Sequence, residues 1–125
     1  MAEKICLDTD VCIGIINGEP RVEKLRGLIF DAEVFVASVT VFELYLRLTN
    51  LDKVANFLAN ASLISFDSRC AVQASNIYKE LKSKGAIIEF RDVFIASSAM
   101  INSCALATFN NKHFSKIKGL NLLNI

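Results

Sequence analysis

What this chain has little of narrows the field first. Among 125 residues there is a single histidine, His113, and none of the four cysteines (Cys6, Cys12, Cys70, Cys104) forms a Cys-x-x-Cys pair. Structural zinc needs about four clustered thiolate or imidazole ligands at short spacings, so no zinc site is expected. Cys6 and Cys104 lie in apolar stretches. The thiols therefore read as small buried hydrophobes in a reducing compartment. Long apolar runs are also missing. The apolar-rich run Val34 to Phe42 is well short of the ~20 residues that span a membrane. Glu3 and the brief Ile5–Leu7 run are unlike a signal peptide. A soluble, cytoplasmic protein with no membrane partner is the expectation. Neither sign of charge is in excess: 14 Lys and Arg stand against 13 Asp and Glu, a net charge of +1. Any nucleic-acid contact would have to come from a local basic patch. No repeat or low-complexity segment interrupts the chain.

What is present belongs to a globular chain, with 53% hydrophobic and 22% charged residues. The length predicts a single domain over residues 1–125 that buries about two-thirds of its extended-chain surface. The first strand is Lys4-Ile5-Cys6-Leu7, and it ends abruptly in Asp8-Thr9-Asp10. A helix from about Val11 to Asn17 stops at Gly18, and Glu19-Pro20 restarts one over Arg21–Phe30. Glu33–Ala37, β-branched and aromatic, is the second strand. Thr40–Leu48 is apolar on nearly every side and reads as a helix, and Asn50 can cap a further one over Leu51–Ala59. Ser62–Phe66 is the third strand. Asp67 caps the long helix after it, with Ala71, Ala74, Tyr78 and Leu81 on one face and Gly85 as the stop. After a linker, Ala86–Phe90, Asp92 opens a buried helix over Val93–Ile101. Ala105–Thr108 and Asn121–Leu123 complete five strands. Strands alternating with helices imply an α/β fold with a largely parallel sheet covered on both faces.

That topology gathers acids. Right-handed crossovers bring the C-terminal tips of parallel strands to one edge, where open α/β sheets place their sites. Asp8 is at such a tip. Glu43 and Asp92 begin helices at the same edge, and Thr108 and Asn110 follow the tip of the fourth strand. Each also fits a structural role. Thr40-x-x-Glu43 has capping-box spacing. Asp92 and Asp10 could cap their helices. Asn110 could be a turn residue, and Arg47, one turn after Glu43, could simply pair with it. Arg91, Lys112 and His113 could touch phosphate but fit solvated surface charge better. Taken together, carboxylates at one edge repel unless a cation joins them. An all-oxygen set suits Mg²⁺ or Mn²⁺, and a cation there suits phosphodiester hydrolysis.

Leu7-Asp8-Thr9-Asp10, Ser38-x-Thr40-x-x-Glu43-Leu44, Asp92-Val93-Phe94-Ile95-Ala96 and Ala107-Thr108-x-Asn110-x-x-x-Phe114 together resemble the PIN-domain nucleases, and within them the VapC-type toxins of prokaryotic toxin–antitoxin pairs. The resemblance covers nearly the whole chain. It implies a three-layer α/β/α sandwich, a homodimer, and Mg²⁺- or Mn²⁺-dependent endoribonuclease activity on RNA. Asp8, Glu43 and Asp92 fall on the family's core metal-binding acids. Asn110 falls where many members carry a fourth acid, and an amide there can accept one metal bond without adding charge. Thr9 and Thr108 match hydroxyl positions that orient the acids or the water. A protein antitoxin that inserts into the acidic groove is the implied partner.

Three other readings compete. A receiver domain also clusters acids at strand tips, but the lysine expected after the last strand is missing. Asp8-x-Asp10 resembles haloacid-dehalogenase-type phosphatases, but Cys12 stands where their hydroxyl usually is. A non-catalytic or free-standing PIN-type scaffold in RNA binding or processing would not need Asp8, Glu43 and Asp92 together. The apolar-rich helices Val41–Leu48 and Leu51–Leu58 suggest a dimer or antitoxin surface.

Overall fold

The computed structural model describes residues 3–123 and 125. Five strands form one parallel sheet: β1 (Lys4–Leu7), β2 (Glu33–Ala37), β3 (Ser62–Ile64), β4 (Ala105–Ala107) and β5 (Leu122–Leu123), in the order β3-β2-β1-β4-β5. The strand side chains alternate between the two faces. Ile5 and Leu7 of β1 and Val36 of β2 pack into one core with Val11, Leu25, Leu44 and Val54. Cys6, Ala37 and Leu106 point the other way, into a core with Ala74, Ile77, Leu81, Val93 and Ala96. This period of two explains why the strands read as unbroken apolar runs. The first face is covered by α1 (Thr9–Ile16), α2 (Glu23–Ile29), α3 (Ser38–Arg47) and α4 (Leu51–Ala59). The second is covered by α5 (Ser68–Ser83) and α6 (Phe90–Ile101). The result is the expected α/β/α layering. No helix of the described residues is long and apolar enough to cross a membrane.

Several local expectations hold. Asn50 accepts the Lys53 amide at 3.2 Å to cap α4, and Asp67 accepts the Cys70 amide at 3.0 Å to cap α5. Gly85 ends α5 at φ +66°, where a side chain would be strained. All four cysteines are buried and free, and burial pushes the Cys6 and Cys12 thiols upward.

Other expectations are corrected, most of them at helix starts. The first helix begins at Thr9, because the Asp8 carboxylate caps it by accepting the Thr9 amide at 2.8 Å. Asp10 is therefore inside the first turn and is not the cap. The segment after Gly18 is a 3₁₀ turn (Pro20–Val22) followed by the shorter α2. Helix α3 begins at Ser38, with Ala37 as its extended cap residue, so the Thr40–Glu43 capping box does not form. Strand β3 stops at Ile64, before Phe66. On α5 the buried line is Cys70, Ala74, Ile77 and Leu81, whereas Ala71 is exposed. Glu89 and not Asp92 occupies the N-cap position of α6, with no side-chain capping bond, which places Asp92 in its first turn. A short helix α7 (Asn111–Phe114), anchored by the buried Phe114, follows β4.

Candidate active site

The sheet order reverses between β1 and β4: the chain builds outward through β2 and β3 on one side and ends with β5 on the other. Such a switch point opens a crevice beyond the strand tips. Asp8 lies at its centre. Its amide continues the sheet by donating to the Ala107 carbonyl at 2.9 Å. Its side chain is held at both oxygens, Oδ1 by the Thr9 amide at 2.8 Å and Oδ2 by the Thr108 hydroxyl at 2.7 Å. Thr108 in turn accepts the Asn110 amide at 3.0 Å, which fixes the turn after β4.

Thr9 carries the connection to α3. Its hydroxyl donates to Glu43 Oε1 at 2.7 Å and lies 3.0 Å from the Thr40 hydroxyl. A hydroxyl has one proton, and Thr9 spends it on Glu43, so Thr40 is the donor to Thr9. The relay Thr40 to Thr9 to Glu43 is buried throughout. Thr40 thus serves its helix's carboxylate and not its helix's amides. On the far side of the crevice, Asp92 Oδ2 is 3.2 Å from His113 Nε2. Against an ionised carboxylate, that nitrogen carries the proton.

Asp8, Thr9, Glu43, Asp92 and Asn110 all line one pocket of about 230 Å³, together with Asp10, Arg47, Glu89, Arg91 and His113. The structure therefore brings together every acid that the topology gathered. Thr108 stands directly behind Asp8, buried. Two basic groups that fitted the solvated surface are in the pocket instead. Arg91 Nη1 is 3.1 Å from Glu43 Oε2, and His113 is bonded to Asp92. Arg47 pairs with Asp10 at 3.3 Å and not with Glu43. Lys112 is exposed and outside the lining. The one sequence signal for Arg91 and His113 was their closeness in the chain to Asp92 and Asn110.

Electrostatically the pocket is under tension. Burial pushes the Asp8 carboxyl up to about 6; the Thr108 and Thr9 hydrogen bonds oppose the rise, and Asp92 and Asp10 add to it. Burial also raises Asp92, against the pull of His113 and Arg91. Acids that would rather hold a proton are acids short of positive charge. The donors are carboxylate, amide and hydroxyl oxygens, the hard set that Mg²⁺ and Mn²⁺ prefer, so the residues fit such a cation chemically. Among the described residues, however, no three acidic, thiol or imidazole groups close around one point. Glu43 and Asp92 are turned to Arg91 and His113.

Comparison with known proteins agrees with this geometry. The PIN domain family profile matches residues 5–120. The chain is similar to the ribonuclease VapC2 of Rickettsia felis, at 31% identity over 94% of this chain and 95% of that one. It is 26% identical to a tRNA(fMet)-specific endonuclease VapC of Salmonella typhimurium, over 95% of this chain and 96% of that one. Among solved structures, it superposes on a chain of VapBC2 from Rickettsia felis, determined bound to a DNA fragment from its promoter. The TM-score is 0.86 at 28% identity, covering 97% of this chain and 98% of that chain.

Proposed function

Because the chain belongs to the PIN-domain family, among the VapC-type ribonucleases, we propose that it is a divalent-metal-dependent endoribonuclease and the toxin of a VapBC-type pair. The observation that carries this reading is the pocket itself. Asp8, Glu43 and Asp92 come from three distant segments and meet at the sheet's switch point, with Asn110 beside them. Asp8, Asp92, Glu43 and Asn110 would hold Mg²⁺ or Mn²⁺. Bound there, the cation would offset charge building on an RNA phosphodiester and sharpen a water as nucleophile. The chain's own hydroxyls do the positioning. Thr108 fixes the rotamer of Asp8, and Thr9, backed by Thr40, fixes that of Glu43. His113, itself in the pocket lining, holds Asp92 at Oδ2.

Relatives that occur in VapBC complexes support a protein antitoxin as partner. The α3–α4 face supports a homodimer, since Phe42, Tyr45, Leu46 and Leu51 are exposed there. A metal-poor RNA-binding scaffold is the second reading, favoured by the engagement of Glu43 and Asp92 with basic side chains.

Melting with increasing Mn²⁺ separates the two. A cation at about 100 times its Kd adds ~2.7 kcal/mol, which gives a clear rise in Tm. The rise is expected in wild type and not in Asp92→Asn, and Asp92→Asn should lose RNA cleavage while keeping its fold. A flat Tm in both proteins, with RNA cleavage absent and RNA binding retained, would favour the scaffold.

A further inference from the structure

Glu43, like Asp8, is held at both carboxylate oxygens. It is buried, Oε1 accepts the Thr9 hydroxyl at 2.7 Å, and Oε2 accepts Arg91 Nη1 at 3.1 Å. The other terminal nitrogen of Arg91, Nη2, is 2.9 Å from Glu89 Oε2. One guanidinium therefore bridges a buried carboxylate inside the pocket and an exposed one at its edge. The planar fork of arginine suits this bridge in a way that a lysine ammonium does not. A buried carboxylate without positive charge beside it is costly, and Arg91 is the basic group the structure places on Glu43. The side chain is half exposed and leaves the helix surface to reach Glu43, 48 positions away in sequence.

From this geometry we infer that Arg91 is a built-in counter-cation of the pocket: a divalent cation gains Glu43 only by displacing the guanidinium, which Glu89 then retains. The inference rests on the metal-site reading of the pocket. It explains why the acids line one pocket and yet do not close around a point. With Arg91 in place, Oε2 of Glu43 faces a guanidinium, and a metal ion cannot share that approach. It also gives the metal-free protein a positive charge beside the buried Glu43 carboxyl group, at the expense of weaker cation binding.

Titration calorimetry of Mn²⁺ into chelator-stripped wild type, Arg91→Gln and Arg47→Gln tests this at low ionic strength. Arg47→Gln removes the same charge from the same pocket, where it pairs with Asp10, and leaves Glu43 untouched. Losing a partly exposed competing ion pair should tighten Mn²⁺ binding about two- to fivefold in Arg91→Gln, with a clearly smaller change in Arg47→Gln. Equal affinity in wild type and Arg91→Gln, or equal tightening in both variants, overturns the inference and leaves the metal site standing. Absence of Mn²⁺ binding in all three proteins overturns the metal-site reading and the inference with it. Should Arg91→Gln not fold, the Arg91 side-chain N–H resonances of wild type decide. A shift as Mg²⁺ saturates the protein supports displacement, and unmoved resonances at saturation overturn it.

Discussion

Asp8 sits folded with its carboxyl raised to about 6, mainly by burial, whereas in the unfolded chain it titrates in the ordinary carboxylate range. The folded state therefore binds that proton more tightly. The contribution favours folding at low pH, and it is lost as pH rises from about 4 through 6. About two pKa units correspond to about 3 kcal/mol as an upper figure. Asp8→Asn has no such titration. In the absence of divalent cation, its stability relative to wild type should improve by up to about 3 kcal/mol between pH 4 and pH 7. Urea denaturation of both proteins in chelator at the two pH values measures this, and a difference that stays constant with pH would contradict it. RNA cleavage should be lost in the same variant. The position of Asp8 was legible because a strand ending in an acid leaves a carboxylate at a known edge. That of Arg91 was not. A periodic pattern tells which face a residue occupies, but not that a long side chain on a solvated face folds back over a buried acid.

Most elements were legible to within a turn, the short α7 was not, and the errors at three helix starts share one cause. Polar residues near a helix start resemble caps in sequence, and in three helices those residues have other uses: Asp10 pairs with Arg47, Thr40 serves Glu43, and Asp92 faces His113. A capping residue and a site residue look alike in sequence because both are small, polar and near a helix N-terminus. Two helical glycines make the packing between elements testable. At Gly14 of α1 an added Cβ would lie 2.8 Å from Cγ1 of the buried Val22, whereas at Gly27 of α2 it would meet nothing within 4 Å. Overpacking costs about 1–3 kcal/mol, and replacing a helical glycine by alanine gains about 1 kcal/mol. Gly14→Ala should therefore destabilise the protein or at best leave it unchanged. Gly27→Ala should stabilise it by about 0.5–1 kcal/mol. Chemical denaturation of the two variants checks the pair, and a stabilised Gly14→Ala would mean that the 3₁₀ turn yields freely.

For the whole molecule, one face remains apolar after folding. Phe42 and Leu46 are one turn apart on α3 and are 63% and 69% exposed. Replacing both by serine removes a contiguous apolar surface without touching either core. In light scattering the double variant should run as a monomer at concentrations where wild type is a dimer, with Tm lowered by no more than dissociation accounts for. A wild type that is already monomeric would remove that surface from the dimer proposal and leave it to the antitoxin. The joining of Asp8 to Thr108 has a further consequence. These residues are 100 positions apart, so the crevice cannot assemble until Thr108 has been made and has followed Asp8 out of the ribosome. A nascent chain still tethered to the ribosome holds Asp8 and Glu43 long before Asp92 and the fourth strand emerge. An enzyme that cuts RNA would thus be made beside ribosomal RNA in an unassembled form, and its pocket would close only after the fourth strand and Thr108 had emerged.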